Sequence, residues 1–492
     1  MTLSFSLKRN IIIAFLLLLA ATGAALVAQT RPTARGAVVY LSYEDAKPIL
    51  EAGADMLPQG LSGKSPSELA RDWPNWVVRR DAEIRARLLQ GDEDTLVNFL
   101  LFGTSYTKQP RITQQQLHQI GQQQNAAGAA NNPALARLAN SLQARADDLI
   151  RAMAAPGSND RLLFARRLLV EQKGFRIDTT DGRAKAKAYL LESVVKVLGE
   201  FSNYAKILEE ARSQGASEEF LERSNLFRTR GLSSDTTLLP NYAIEEALKA
   251  IMARKLLTPG SVRRVAIIGP GLDFTDKQEG YDFYPQQSIQ PFALIDSLLR
   301  LGLTTRADAL SVTTFDLSPR VNDHLERARQ RAQRGQGYVL QLPYDTQAQW
   351  KPEAVRYWEQ FGDKIGSPTP PITAPSAVSA VKMRALQVRP AIAALITPMD
   401  TNIVLQRLEV PASERFDLII ATNILVYYDT FEQSLALANI ERMLRPGGFL
   451  LSNNALVELP FSRMHSVDYS TVVYSERTGD GDHIVWYQRA AD

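Results

Sequence analysis

The stretch Arg263–Asp273, RRVAIIGPGLD, constrains the fold of this chain more than any other. Its apolar run, Val265–Ile268, leads directly into Gly269-Pro270-Gly271, which is typical of a buried parallel strand that ends in a tight glycine turn. In doubly wound α/β sheets such a turn lies at the carboxyl edge of the first strand. A glycine backbone there has no Cβ, so a nucleotide-like ligand can approach it closely. Taken alone, the turn is equally consistent with a purely structural role.

The order of the following segments favours a ligand site. A helix is predicted over Ile289–Leu301 and a second, β-branched strand over Ala309–Phe315, which ends in Asp316. A carboxylate at the end of the second parallel strand lies beside the glycine turn of the first. It can accept hydrogen bonds from two adjacent ribose hydroxyls. The alternative is that Asp316 only caps the helix that begins at Ser318-Pro319.

The rest of the carboxyl-terminal half continues the alternation of strands and helices. Phe416–Ile420 predicts a buried fourth strand, and Asp429 is a predicted N-cap of a helix over Thr430–Leu444. The last predicted elements are a strand at Phe449–Ser452 and a hairpin of Thr471–Ser475 with His483–Gln488. For the third strand Asn402–Arg407 is preferred over Tyr338–Leu342, which can instead pair with Met383–Val388 in an inserted hairpin.

Composition excludes several classes of function. With 492 residues and 45% hydrophobic content, the chain is long enough for two domains or more. Its 56 basic and 53 acidic residues nearly cancel, which argues against a nucleic-acid partner. It contains no cysteine and only four histidines, none at a metal-ligand spacing, so we expect neither thiol chemistry nor a metal site.

The amino terminus predicts targeting to a membrane. Lys8 and Arg9 precede the uncharged stretch Ile11–Ala28, and Leu26-Val27-Ala28 is an acceptable cleavage site for a signal peptidase. Residues 1–28 are therefore a signal peptide or an uncleaved membrane anchor. Export to the cell envelope is favoured, and an anchor with the chain on the cytoplasmic face is the competing interpretation.

Residues 36–258 are predicted to form a mostly helical domain. Gly36–Tyr43 can supply one short strand, and Ala184–Ser213 is the clearest helix because its apolar residues share one broad face. Trp73 and Trp76 are expected to be buried against a neighbouring helix rather than to form a binding surface. Asn241–Lys255 is the predicted helix that leads into the second domain.

Four motifs in order make residues about 262–492 resemble a class I S-adenosylmethionine-dependent methyltransferase. They are VAIIGPGLD, TTFDLSP, FDLIIATNILVYYD and MLRPGGFLL. The third is similar to the corresponding stretch of chemotaxis-receptor methyltransferases. The resemblance implies a Rossmann-like doubly wound α/β sheet with a carboxyl-terminal antiparallel hairpin over residues 259–492, with an insertion at about 341–398. The amino-terminal half carries no such resemblance.

The resemblance also implies a cofactor, S-adenosylmethionine, and residues that hold it. Gly269 and Gly271 would lie under its methionine portion and ribose, Asp316 would hold the ribose hydroxyls, and Leu317 would pack on adenine. Asn423 would lie next to the cofactor and the incoming substrate.

Two positions depart from the family pattern. Ile267 replaces the acid that is usual within the first strand, and Asp273 replaces the third glycine. Asp273 could contact the ammonium group of the cofactor instead.

Three functional interpretations follow. The first is an anchored methyltransferase that acts on an unknown acceptor from the cytoplasmic face. The second is an exported, catalytically inactive binding or scaffold protein of the cell envelope. The third is a fold that uses another nucleotide such as NAD, although the turn lacks the third glycine of a dinucleotide fingerprint. Six residues are candidates for the pocket opening, without an assigned general base: Tyr427, Tyr428, Asn453, Asn454, Glu458 and His465.

Overall fold

The computed structural model describes residues 36–54, 57–112, 116, 133–214, 231–274, 281–376, 378, 380–453, 455–476 and 480–491. The predicted signal peptide or anchor, residues 1–28, lies outside the described residues. Among the helices that are described, none is both long and apolar enough to cross a bilayer.

Helices dominate the described residues before position 258. A short strand, β1, is followed by six α-helices, and a π-helix, Arg167–Gln172, directly extends the fourth of them. The elements are β1 (Val38–Tyr40), α1 (Tyr43–Ala52), α2 (Pro66–Phe102), α3 (Pro133–Met153), α4 (Asp160–Arg166), α5 (Thr180–Gln214) and α6 (Leu239–Ala253). The predicted strand and both predicted helices of this region are thereby confirmed.

The long helix α2 begins at a capping box and buries its tryptophans. The Ser65 side chain accepts from the Glu68 amide, while the Glu68 carboxylate accepts from the Ser65 amide. Trp73 and Trp76 are buried and stacked with their ring centroids 5.1 Å apart, and Trp76 also meets the edge of Phe431 at 6.0 Å. Burial of both tryptophans is as predicted, and it attaches α2 to the carboxyl-terminal half.

Strands and helices alternate in the carboxyl-terminal half. Its helices are α7 (Gln290–Arg300), α8 (Pro319–Gln333), α9 (Pro352–Gln360), α10 (Pro390–Ala393) and α11 (Thr430–Met443). Its strands are β2 (Arg264–Ile268), β3 (Ser311–Asp316), β4 (Tyr338–Asp345), β5 (Gly366–Thr369), β6 (Val381–Val388), β7 (Ile396–Asp400), β8 (Gln406–Leu408), β9 (Phe416–Ala421), β10 (Leu444–Ser452), β11 (Met464–Val473) and β12 (Gly481–Arg489). Asp429 caps α11, as predicted.

Seven of these strands form one sheet in the order β11-β12-β10-β9-β2-β3-β7. The strands from β10 through β9, β2 and β3 to β7 run parallel, and only β12 runs antiparallel to its neighbours β10 and β11. The central strand β2 is buried on both faces, which explains why Val265–Ile268 is continuously apolar. The predicted doubly wound α/β sheet with a carboxyl-terminal antiparallel hairpin is confirmed.

The predicted third strand was wrong. The third parallel strand is β7, Ile396–Asp400, whereas part of the predicted segment forms β8 and pairs with β1. β7 lies at the edge of the sheet and is half-exposed, so it does not need a continuous apolar run. On the side without a neighbouring strand no backbone amide has to donate a hydrogen bond, so the strand tolerates Pro398. The alternative pairing of Tyr338–Leu342 is confirmed, because β4 pairs with β6 in a separate three-stranded sheet.

Two apolar cores cover the faces of the seven-stranded sheet. Helices α6, α7 and α8 pack on one face, and α11 covers the other together with α1 and the first part of α2. A third core joins the rest of α2 to α3, α4 and α5, and Phe274, from the loop after the glycine turn, inserts into it. The helical half therefore contacts the sheet directly at the glycine turn.

Candidate functional site

A cavity of about 510 Å³ lies at the carboxyl edge of the parallel strands. It adjoins the ends of β2, β3 and β9. β3 and β7 lie on one side of β2, whereas β9, which comes later in the chain, lies on the other side, so the direction in which strands are added changes at β2. Open α/β sheets bind ligands at this topological switch point. The volume falls within the range of roughly 300–1,000 Å³ that is usual for small-molecule sites.

The glycine turn forms part of the wall, but the space beside its glycines is taken up by the protein. Both Gly269 (φ 65°) and Gly271 (φ 62°) adopt left-handed conformations that favour glycine. A Cβ at Gly269 would lie 2.0 Å from Cδ1 of Ile424, and one at Gly271 would lie 2.8 Å from the carbonyl oxygen of Ser234. The glycines are thus required by close packing of the chain on itself, whereas the sequence suggested the approach of a ligand as the reason.

Asp316 ends β3 inside the cavity wall. It is 8% exposed, its carboxylate accepts a hydrogen bond from the amide of Ser318 at 2.8 Å, and the amide of Gly271 lies close to it. Burial raises the pKa of Asp316 to about 7, and these two amides and the Arg320 guanidinium oppose the rise. Asp316 thus accepts from the amide of Ser318 at the entrance of α8, and it also lines the cavity.

Leu317 and Asn423 also line the cavity. Asn423 follows β9 in the left-handed conformation (φ 59°), which is uncommon outside glycine, although asparagine tolerates it better than most residues. Its amide donates to Oδ1 of Asn453 at 2.7 Å, and the two side-chain amides also bond to each other. The ends of β9 and β10 are thereby linked, and the polar end of Asn423 is fixed at the opening.

Asp273 is placed away from the cavity. Its Oδ2 accepts from the Tyr284 hydroxyl at 3.0 Å and from Nε2 of Gln287 at 2.8 Å, and the residue is 4% exposed. Its backbone carbonyl accepts from the buried Arg161 of α4 at 3.3 Å. Asp273 therefore fixes the loop after the glycine turn against the helical half, and the contact with a cofactor ammonium suggested for it has no geometric support.

The other candidates for the opening divide into two groups. Tyr427, Tyr428 and Asn453 line the cavity, whereas Asn454 lies outside the described residues. His465 and Glu458 do not line it and instead approach each other to 3.8 Å on the edge of the sheet.

Sequence reasoning missed two parts of the wall. One is the tip of the carboxyl-terminal hairpin, with Asp482 and His483, which reaches the cavity because β12 runs antiparallel and so starts at the carboxyl edge. The hairpin signal could have predicted this placement. The other is residues 232–237, which precede α6 and carry no pattern that would have marked them.

Strand order and the position of the cavity together define the fold of the carboxyl-terminal half, which is a Rossmann-like doubly wound α/β sheet with an antiparallel hairpin at its edge. No family model and no curated protein matches the chain.

Several solved methyltransferase structures are similar to about half of the chain. The N-methyltransferase NodS from Bradyrhizobium japonicum WM9 is 16% identical, covering 50% of this chain and 98% of its own, with a TM-score of 0.24. Magnesium protoporphyrin IX methyltransferase (ChlM) from Synechocystis PCC 6803 with bound SAM is 10% identical, covering 56% and 83%, with a TM-score of 0.25. The glycopeptide N-methyltransferase MtfA complexed with sinefungin is 12% identical, covering 52% and 79%, with a TM-score of 0.21.

Proposed function

We propose that this protein is an S-adenosylmethionine-dependent methyltransferase. The observation that supports this most directly is the cavity at the switch point, which the glycine turn and the Asp316 carboxylate line together. A nucleoside ligand in this cavity would lie beside the ends of β2 and β3, within reach of the buried acid.

The residues present fit such a ligand. Asp316 keeps acceptor capacity beyond the Ser318 amide, as binding of a ribose diol requires. The Thr401 hydroxyl, at the end of β7, is 2% exposed, lines the cavity and has no hydrogen-bond partner within the described residues. Buried polar atoms without partners are rare in folded proteins, and they favour a polar ligand at this position.

When bound, the cofactor supplies an electrophilic methyl group on a sulfonium. The transfer is an in-line displacement, so the task of the chain is to align the acceptor and to exclude water. Alignment alone can lower such a barrier by about 7–11 kcal/mol. The hydrogen bond between Asn423 and Asn453 stabilises the rim of the cavity where the acceptor enters. Tyr427 and His483 line the same opening.

Isothermal titration of the full-length chain with S-adenosylhomocysteine tests the proposal. We expect micromolar affinity for the wild type and loss of binding for Asp316→Asn. Asp345→Asn is a matched control, because Asp345 is also 8% exposed and accepts from the amide two residues on at 2.8 Å, but lies outside the cavity. Absence of binding by the wild type, or equal loss in both variants, would contradict the proposal.

We also propose that residues 1–28 direct the chain to the cell envelope, as a cleaved signal peptide or as an anchor. Support comes from the basic pair Lys8 and Arg9 before the apolar stretch Ile11–Ala28. Fractionation of cells that express the chain with and without these residues would test it. A cytosolic location of both forms would refute it.

A further inference from the structure

One connecting segment, residues 231–237, carries the chain from the helical half over the glycine turn into α6. The Ser234 carbonyl accepts from the Leu272 amide at 2.7 Å, and the Thr236 amide donates to the Leu272 carbonyl at 2.9 Å. Between them Asp235 forms a parallel bridge with Leu272. The segment is thus fixed to the residue that directly follows the turn.

The other side of the connecting segment is fixed to helix α2. The Leu232 amide donates to the Arg87 carbonyl at 3.1 Å. Gly91 and Gly231 pack backbone to backbone, since a Cβ at Gly231 would lie 2.1 Å from the Gly91 nitrogen. The segment is held between α2 and the glycine turn, and it forms a wall of the cavity that belongs to the helical half.

Asp235 is the acidic residue of this wall, and one of its oxygens has no donor. Its side chain is 5% exposed, and Oδ2 accepts from the Thr95 hydroxyl at 3.0 Å. No described residue donates a hydrogen bond to Oδ1, and the nearest cation, Nη2 of Arg320, is 4.0 Å away, beyond hydrogen-bond range. A buried carboxylate oxygen without a donor is costly, and a ligand donor in the cavity would relieve that cost.

We infer that Asp235 accepts a hydrogen bond from the nucleoside portion of the ligand, so that the helical half completes the cofactor site. The inference rests on the proposed function. Two contacts locate Asp235 at the nucleoside end. Arg320, whose Nη2 lies 4.0 Å from Oδ1 of Asp235, is in the first turn of α8, which follows Asp316. Leu272, which forms the bridge with Asp235, directly follows Gly271 of the glycine turn.

The test compares two ligands and three variants by isothermal titration of the full-length chain. S-adenosylhomocysteine carries both the nucleoside and the amino-acid portion, whereas 5′-methylthioadenosine keeps only the nucleoside portion. Asp235→Ala removes the acceptor, and Asp235→Asn keeps the shape of the side chain while removing its charge. Asp92→Ala is the matched control, because Asp92 lies 3.7 Å from the same guanidinium but does not line the cavity.

For Asp235→Ala we expect an affinity loss of at least about tenfold for both ligands, the usual effect of losing a hydrogen bond to a charged group. Asp92→Ala should bind both ligands like the wild type. Should Asp235→Ala fail to fold, Asp235→Asn must show a loss of the same sign. Equal losses in the Asp92 and Asp235 variants would mean a structural role, and a loss confined to S-adenosylhomocysteine would place the contact elsewhere; either overturns the inference. Unchanged affinity contradicts only the inference, whereas no binding by the wild type contradicts the proposed function as well.

Discussion

Asp316→Asn is expected to make the stability of the protein less dependent on pH. The pKa of Asp316 rises from its ordinary value of 3.8 to about 7 in the folded chain because the carboxyl is buried. The folded chain therefore keeps this proton over a pH range in which the unfolded chain has released it. The stability that Asp316 contributes is complete below its ordinary pKa and is lost as the pH rises towards 7. At about 1.4 kcal/mol per pKa unit, the total loss is about 4 kcal/mol.

Urea unfolding of both proteins at pH 5 and pH 8 measures this effect. The asparagine variant cannot titrate, so its free energy of unfolding should rise relative to the wild type by about 3 kcal/mol between the two pH values. Any hydrogen bond that the substitution costs at the Ser318 or Gly271 amide is equally lost at both pH values and cancels. All other titrating groups cancel as well, because both proteins contain them. A difference between the proteins that is the same at pH 5 and pH 8 would refute the argument that burial controls this carboxyl.

Two further predictions concern the connecting segment and a buried histidine. Gly91→Ala should weaken S-adenosylhomocysteine binding at least about tenfold, since its Cβ would lie 1.9 Å from the Leu232 carbonyl oxygen and must displace the cavity wall. Gly199→Ala, in helix α5 with open space around it, should leave binding unchanged and stabilise the protein by up to about 1 kcal/mol, and equal affinity of the two variants would refute the prediction. Burial lowers the pKa of His324, whose Nε2 lies 2.7 Å from the Tyr338 hydroxyl, to about 4. Its stabilising contribution is complete above pH 6.5 and is lost as the pH falls towards 4. Between pH 7 and pH 5 the free energy of unfolding of the wild type, measured with urea, should fall by about 2 kcal/mol more than that of His324→Gln. Equal decreases in the two proteins would contradict this prediction.

The regular parts of the sheet were predictable because their sequence signals are local. Val265–Ile268 and Phe416–Ile420 are continuously apolar because both faces of these strands are buried, and such runs are readable without knowing what covers them. The edge strand Ile396–Asp400 carries no such run, since one side lacks a neighbour. Its position was missed for that reason.

The candidate site could also be predicted in part, where its residues directly follow strands with a local sequence signal. Gly269, Gly271, Asp316, Leu317 and Asn423 follow recognisable strands, and the tertiary structure brings all of them to one cavity. Asp273 has the same kind of sequence context but is turned away by hydrogen bonds to Tyr284 and Gln287, which lie more than ten residues further on. Contacts over such distances leave no local pattern.

By itself the sequence determined which strands are buried, where they end, and which acid follows the second of them, because hydrophobic period and turn chemistry act between near neighbours. Only the tertiary structure decided which residues face the carboxyl edge of the sheet across the cavity. The placement of Asp235 and its neighbours depends on backbone contact with Gly91, more than a hundred residues earlier in the chain, and on the bridge to Leu272. Such a wall results from the packing of two halves of the chain, and packing depends on shape in three dimensions rather than on order along the sequence.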